Sequence, residues 1–476
     1  MPKFTGFSPN IFYPLSLMVK RPSPSPPVME EEESNLSLDL ALTILRRYWF
    51  IIILTAVAGG MLAFYLAERQ NYIYKKTASI IMRDAKSGTD VSFPMPLSAV
   101  FHTHSVQEQV AALGDAFAIA GEFLHCDTIN SGHINLTFRA AYRREDGSTD
   151  RYIFQRVNDA VFQCPRDVMH NVEKVTNHIR WKMLRVLKTP FRQTLNLYSA
   201  RGGRKYLKLQ GSGYWRCYNC IENTYTCDVA EHPRQAYEAA RAFGAFQQLL
   251  CDMNPEDIHE TIPFFHHTRK RFNRLMEAAR KDSSGRLASC RKELEFIRKH
   301  EQEVDLLLNL QEKGELPVRI VHNDTKINNV MLDTETDRAV CVIDLDTVMP
   351  GSILYDFGDM ARTMTSPAAE DEEDLEKTFM RMPMFEAVVK GYLETAKDFI
   401  TPLEVSLLPF SGKLITLETG IRFLTDYLEG DVYFKTEKDR HNLHRARTQL
   451  ALVKSMEQQM PEMEKLCADV FKAVKV

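Results

Sequence analysis

The chain carries almost no surplus of charge, with 60 lysines and arginines against 63 aspartates and glutamates in 476 residues. No global field recruits a polyanion, and nucleic-acid binding is disfavoured. Cysteine is sparse and unpatterned: nine are scattered along a chain too long to need covalent stapling, which favours a reducing compartment. Cys217, Cys220 and Cys227 include one Cys-x-x-Cys pair, but no fourth ligand follows at zinc spacing. Strand packing is the expectation there.

What is present begins with an uncharged run. Tyr48 to Leu66, YWFIIILTAVAGGMLAFYL, is 19 residues without a charge, which at about 1.5 Å per residue would span roughly 28 Å. It is expected to be a single membrane helix with aromatic anchors Tyr48, Trp49 and Tyr65. Arg46 and Arg47 precede it, while Arg69, Lys75, Lys76, Arg83 and Lys86 come after it. The larger count on the far side predicts that the chain beyond the run is cytoplasmic. Residues 1–38, with Pro22 to Pro27 and Glu30 to Glu33, cannot bury a core and are expected to be a disordered tail. Residues 39–109 are expected to form the membrane segment and linker. The stretch from Leu36 to Phe93 resembles the N-terminal part of polysaccharide chain-length determinant proteins, over a fragment too short to carry their function.

The strongest chemical signal is His322-Asn323-Asp324-Thr325-Lys326-Ile327-Asn328-Asn329, followed by Val340-Cys341-Val342-Ile343-Asp344-Leu345-Asp346. It reads as strand, loop, strand, turn, strand. One carboxylate and one amide share a tight loop, and a second carboxylate stands about 20 residues on. Phosphoryl transfer needs a group that orients and deprotonates a hydroxyl, and oxygen ligands for the magnesium that bridges the nucleotide phosphates. Asp324 suits the first role; Asn329 and Asp344 suit the second. His322 is expected to organise the loop by bonding backbone near Asp344. Asp356 and Asp359, in YDFGD, are expected to brace the helix that starts there.

The spacing His-x-Asp-x-x-x-x-Asn resembles the catalytic loop of the aminoglycoside phosphotransferase and choline kinase superfamily, and Val342 to Asp359, VIDLDTVMPGSILYDFGD, is most similar to N-acetylhexosamine 1-kinases. The resemblance implies an α+β, bilobal protein-kinase-like fold, with a small β-rich lobe at residues 110–222 and a larger helical lobe at 223–476. It implies ATP and Mg²⁺ as cofactors and an amino sugar as acceptor. Lys326 would steady the transferring phosphate. Asn130-Ser131-Gly132-His133, before a hairpin signalled by alternating Ile134, Leu136, Phe138 and Ala140, would cover the phosphates through Ser131 and Gly132. Arg156 would take the place of the phosphate-pairing lysine, with Glu173 on the following helix as its partner. Thr419 to Phe434 would supply Arg422 and Tyr433 to the sugar, with Arg440, Arg445 and Arg447 crowding the same side and disfavouring polycationic acceptors. A non-catalytic membrane partner in polysaccharide assembly, or a kinase of choline or an aminoglycoside, is the competing reading.

Helices are expected from Pro233 to about Leu250, at about 265–281 and 286–311, and from Ser411 onward, with a charged break near Glu437 to Arg440.

Overall fold

The computed structural model describes residues 105–129, 135–187 and 194–475. The expected membrane run and Ser131 and Gly132 lie outside these residues. No helix among the described residues is long and apolar enough to cross a membrane.

Alternating side chains build the smaller lobe. Strands β1 (Glu122–Ile129), β2 (Leu136–Arg143), β3 (Thr149–Val157), β4 (Leu207–Leu209) and β5 (Gly213–Asn219) form one sheet in the order β1-β2-β3-β5-β4, all pairs antiparallel. The β2–β3 hairpin turns at Glu145-Asp146-Gly147, where Gly147 takes a left-handed φ of 82° that a side chain would resist. One face of the sheet buries Phe138, Ala140, Phe154, Trp215 and Cys217 against helix α1 (Val106–Ala116). Ser105 and Glu108 close the start of α1 with a reciprocal capping box. The opposite face carries Ile153, Val157, Tyr214 and Tyr218, which join α2 (Pro165–Lys182) and the larger lobe in a second core.

The larger lobe is helical: α3 (Pro233–Leu250), α4 (Thr268–Lys281), α5 (Arg291–Lys299), α6 (Leu306–Glu312), α7 (Ile353–Thr365), α8 (Met382–Ala396), α9 (Pro402–Glu429) and α10 (His441–Lys475). Short strands β6 (Thr224–Tyr225), β7 (Arg319–Val321), β8 (Val330–Asp333), β9 (Ala339–Val342) and β10 (Met349–Gly351) run between them, pairing as β6-β8-β9 and β10-β7. The helix expected over 286–311 is broken into α5 and α6. His300 turns its ring back to the Phe296 carbonyl (2.9 Å) and across to Glu457 of α10 (2.8 Å), and a tighter turn at Glu301–Glu303 follows. Pairing with a distant helix outweighs local periodicity there.

The literal Asp-Phe-Gly at 356–358 has a packing explanation. Gly358 lies where α7 meets α9, and a Cβ there would come 2.5 Å from the Ser411 carbonyl oxygen. Any larger residue would push apart the two helices that support the loop at 322–329.

Candidate active site

The loop between β7 and β8 is held from below by one buried carboxylate. Asp356, fully buried on α7, accepts from the backbone N–H groups of His322 (2.9 Å) and Asn323 (2.6 Å) and from the Gln247 amide (2.7 Å). Thr325 adds a hydroxyl bond to the Asp356 carbonyl (2.6 Å). Asn323 takes a left-handed φ of 65°, tolerable for Asn, and ties its amide to the Thr347 carbonyl (2.9 Å). Ser352, not Asp356, caps α7; the bracing by Asp356 is exerted on the loop rather than on its own helix. Asp359 pairs instead with Arg362 at 2.8 Å.

His322 organises the loop through both ring nitrogens. Its Nδ1 accepts from the Asp324 N–H (3.3 Å), which leaves Nε2–H to donate to the Ile343 carbonyl (2.9 Å). The ring thereby links the residue before Asp344 to the backbone of Asp324.

Asp324 projects from this frame half-buried. Its carboxylate accepts from the Asn329 amide (2.9 Å) and faces the Lys326 ammonium (3.1 Å). Burial opposes its charge, but Lys326, His322 and the hydrogen bonds from Lys326 and Asn329 hold its carboxyl below the usual range. The Lys326 ammonium is correspondingly raised by Asp324. Asn329 also donates to the Asp324 carbonyl (2.7 Å), so both amide hydrogens point one way and its side-chain oxygen points away from Asp324, with no hydrogen-bond partner among the described residues.

Asp344 stands next to this pair. The Ile343 N–H donates to the Asn329 carbonyl (2.9 Å) beside the Val330–Val342 pairing, so Asn329 and Asp344 share one end of the β8–β9 ladder. A left-handed φ of 60° turns the chain at Asp344. Its carboxylate makes no hydrogen bond or ion pair among the described residues, and burial, Asp346 and Asp324 push its pKa up to about 7. Two unpartnered oxygen donors, the Asn329 amide oxygen and the Asp344 carboxylate, beside the Asp324 carboxylate fit a small, hard dication, which is held by one or two carboxylates and leaves positions for phosphate and water.

Asp346, two residues on, is different. It is 2% exposed; one oxygen pairs with the Arg216 guanidinium and the other accepts from the Asn135 amide (2.7 Å). Arg216, on β5 and fully buried, also donates to the Gln155 side-chain amide oxygen (2.9 Å from Nε) and lies over the Tyr218 ring. This pair joins the two lobes.

The expected Arg156–Glu173 pair is not formed: neither side chain makes an ion pair among the described residues. Strand parity is the reason. Arg156 lies opposite Trp215, on the α1 face of the sheet, whereas Gln155 lies opposite Arg216, on the face that meets α2 and the larger lobe. Arg216 escapes notice in the sequence because YWRCYN looks like an apolar strand. The lone charged residue in that alternating run is the available signal.

Arg422 and Tyr433 come together in one pocket with Arg271, Arg274 and Phe434. Arg440, Arg445 and Arg447 do not line it. Arg447 pairs with Glu293 (2.6 Å), Arg445 bonds the Lys435 carbonyl (3.1 Å) and Arg440 lies against its neighbour Asp439 (3.5 Å). A contact chain joins the pocket to the loop: His266 lies 3.4 Å from the Asn323 carbonyl, its ring meets that of Phe265, and Arg422 lies over Phe265.

Residues 126–380 match the phosphotransferase enzyme family, APH. Among solved structures, an aminoglycoside phosphotransferase from Alicyclobacillus acidocaldarius is 11% identical, with 82% of this chain and 99% of that one covered at a TM-score of 0.48. An ethanolamine kinase from Plasmodium vivax is 13% identical (82% and 96% covered, TM-score 0.43). A choline/ethanolamine kinase family protein from Mesorhizobium loti is 14% identical (76% and 97%, TM-score 0.42).

Proposed function

Because the chain belongs to the phosphotransferase enzyme family, we propose that it uses ATP and Mg²⁺ to phosphorylate the anomeric hydroxyl of an N-acetylhexosamine. The observation that carries the reading is the meeting of Asp324, bonded to Asn329, with the unpartnered Asp344 at one strand end.

In this mechanism Asp324 accepts a hydrogen bond from the acceptor hydroxyl, orients its oxygen in line with the γ-phosphorus and takes its proton as the bond to phosphorus forms and the bond from the γ-phosphorus to the β–γ bridging oxygen breaks, releasing ADP. A carboxylate of low pKa suffices, because the loose transition state asks little of the base. Asn329 keeps Asp324 aimed, and Lys326 offers a cation to the transferring oxygens. Asn329 and Asp344 would hold magnesium, which supplies charge neutralisation across the nucleotide phosphates. Ser131 and Gly132 stay in the proposal as phosphate-covering residues on sequence grounds; Arg156 and Glu173 do not. Arg422 and Tyr433 would contact the acceptor. Cationic acceptors such as choline or an aminoglycoside are disfavoured by the arginines gathered at that pocket. Attachment to a membrane through Tyr48–Leu66, with this domain cytoplasmic, belongs to the same proposal.

The test is turnover of the purified chain with ATP and Mg²⁺ against N-acetylglucosamine, N-acetylgalactosamine, choline and an aminoglycoside. Sugar 1-phosphate should form, stop on chelation with EDTA and resume on adding Mg²⁺. Transfer to choline or the aminoglycoside alone would sink the acceptor assignment, and no ATP-dependent transfer at all would favour a binding module.

A further inference from the structure

The pocket at α4 and the C-terminal half of α9 is small and open to solvent, and three guanidinium groups face two carboxylates in its walls. Both carboxylates are already engaged. Glu429 holds Arg274 through two bonds (2.9 and 2.5 Å). Asp426, 2% exposed, accepts from the backbone N–H groups of Val432 (3.0 Å), Tyr433 (2.7 Å) and Phe434 (2.9 Å) and from the Asn442 amide (2.8 Å). Glu418, one turn before Arg422, spends its oxygens on His266 (2.9 Å) and Thr268 (2.5 Å).

Two cations are left over. Arg422 is flanked by the rings of Phe265 and Phe434, which fix its plane without neutralising it. Arg271 donates one bond to the Phe265 carbonyl (3.1 Å), and its Nε is buried with no acceptor. Neither makes an ion pair among the described residues. Burial and the neighbouring Arg422 hold the Arg271 guanidinium below its usual range, as two like charges kept side by side must. A buried, unanswered N–H and a second aromatic-clamped fork are costly unless a partner arrives. The planar fork is the group best matched to carboxylate and phosphate oxygens.

We propose that this pocket is an oxyanion subsite in which Arg271 and Arg422 together bind a carboxylate or phosphate-monoester group of a small molecule. The contact chain through Phe265 and His266 sets the subsite beside the catalytic loop. The group either belongs to the acceptor or arrives as a separate anion. Its assignment to the acceptor rests on the phosphotransferase reading; the binding itself does not.

Melting of the full chain without nucleotide, in inorganic phosphate and in chloride of equal ionic strength, tests the binding. Phosphate should raise the melting temperature of the wild type, and Arg271→Gln and Arg422→Gln should each weaken apparent phosphate affinity about tenfold or more, about 1.4 kcal/mol. Rates with ATP and Mg²⁺ on N-acetylglucosamine, its 6-phosphate and glucuronic acid then separate the sources. A lower KM for an acidic sugar, lost in Arg271→Gln, assigns the group to the acceptor; phosphate that changes the rate on the neutral sugar without competing assigns it to a free ion. If the variants fail to fold, displacement of phosphate from the wild type by the acidic but not the neutral sugar serves instead. Equal melting in phosphate and chloride, variants that bind phosphate as tightly as the wild type, or displacement by both sugars alike overturns the subsite. Intact phosphate binding with no turnover of any sugar would remove the acceptor reading alone.

Discussion

The catalytic loop and the arginine pocket treat charge in opposite ways. Around the loop, three framing groups are answered: Asp356 by three donors, His322 at both nitrogens, Asp346 by Arg216 and Asn135. In the pocket, Arg271 and Arg422 remain over after the carboxylates have been used. The contrast separates groups that build the site from groups that wait for a ligand, and Asp344, inside the loop region but unpartnered, falls with the second kind.

The sharpest break is at Asp324. Asp324→Asn keeps the shape and both amide contacts in reach but removes the proton acceptor, so kcat should fall about 10²- to 10⁴-fold with little change in melting temperature. Steady-state phosphotransfer beside a melting curve checks both halves; an unchanged kcat would move Asp324 from the reacting group to the frame. Next comes the answered pair. Arg216→Met strands Asp346 in a buried site and should cost about 3–5 kcal/mol in denaturant unfolding, whereas Arg216→Met with Asp346→Leu should recover most of it. A double variant as unstable as the single would mean that the link to Asn135, not the ion pair, joins the lobes.

The smallest effect concerns pH. Burial opposes the charge of Glu418, but His266 and Thr268 hold its carboxyl below its ordinary value of 4.5. Its folded pKa being depressed, its contribution is present above about pH 4.5 and is lost as pH falls through the folded value. Glu418→Gln should therefore flatten the acid limb of stability, measured by melting between pH 3 and 7, by about 1 kcal/mol or less relative to the wild type. An unchanged acid limb would show that His266 and Thr268 do not hold it charged.

Local spacing carried much of this into the sequence. The distances from His322 to Asp324, Asn329 and Asp344 are set by one turn and one short hairpin, so the string itself contains the geometry. The helix from Pro233 was legible from its first-turn proline and its period, and the hairpin from its alternation and its Gly147. What could not be read depends on partners far along the chain. Arg156 and Gln155 differ by one position, and only pairing with β5 decides which of them faces the cleft. Arg216 meets Asp346 across 130 residues, and Arg271 meets Arg422 only once α4 lies against α9. The break at His300 is written in its bond to Glu457, not in residues 286–311.

Helix α9 runs 28 residues and carries Glu418, Arg422 and Asp426 at intervals of four. Successive members of that row are separated by about 6 Å along the axis. Glu418 is tied through His266 to the backbone beside Asp324, and Asp426 anchors the segment that bears Tyr433. The rod therefore works as a gauge: it holds the arginine end at a fixed interval from the reacting end, and a molecule that is to reach both is selected by its length before its chemistry is read.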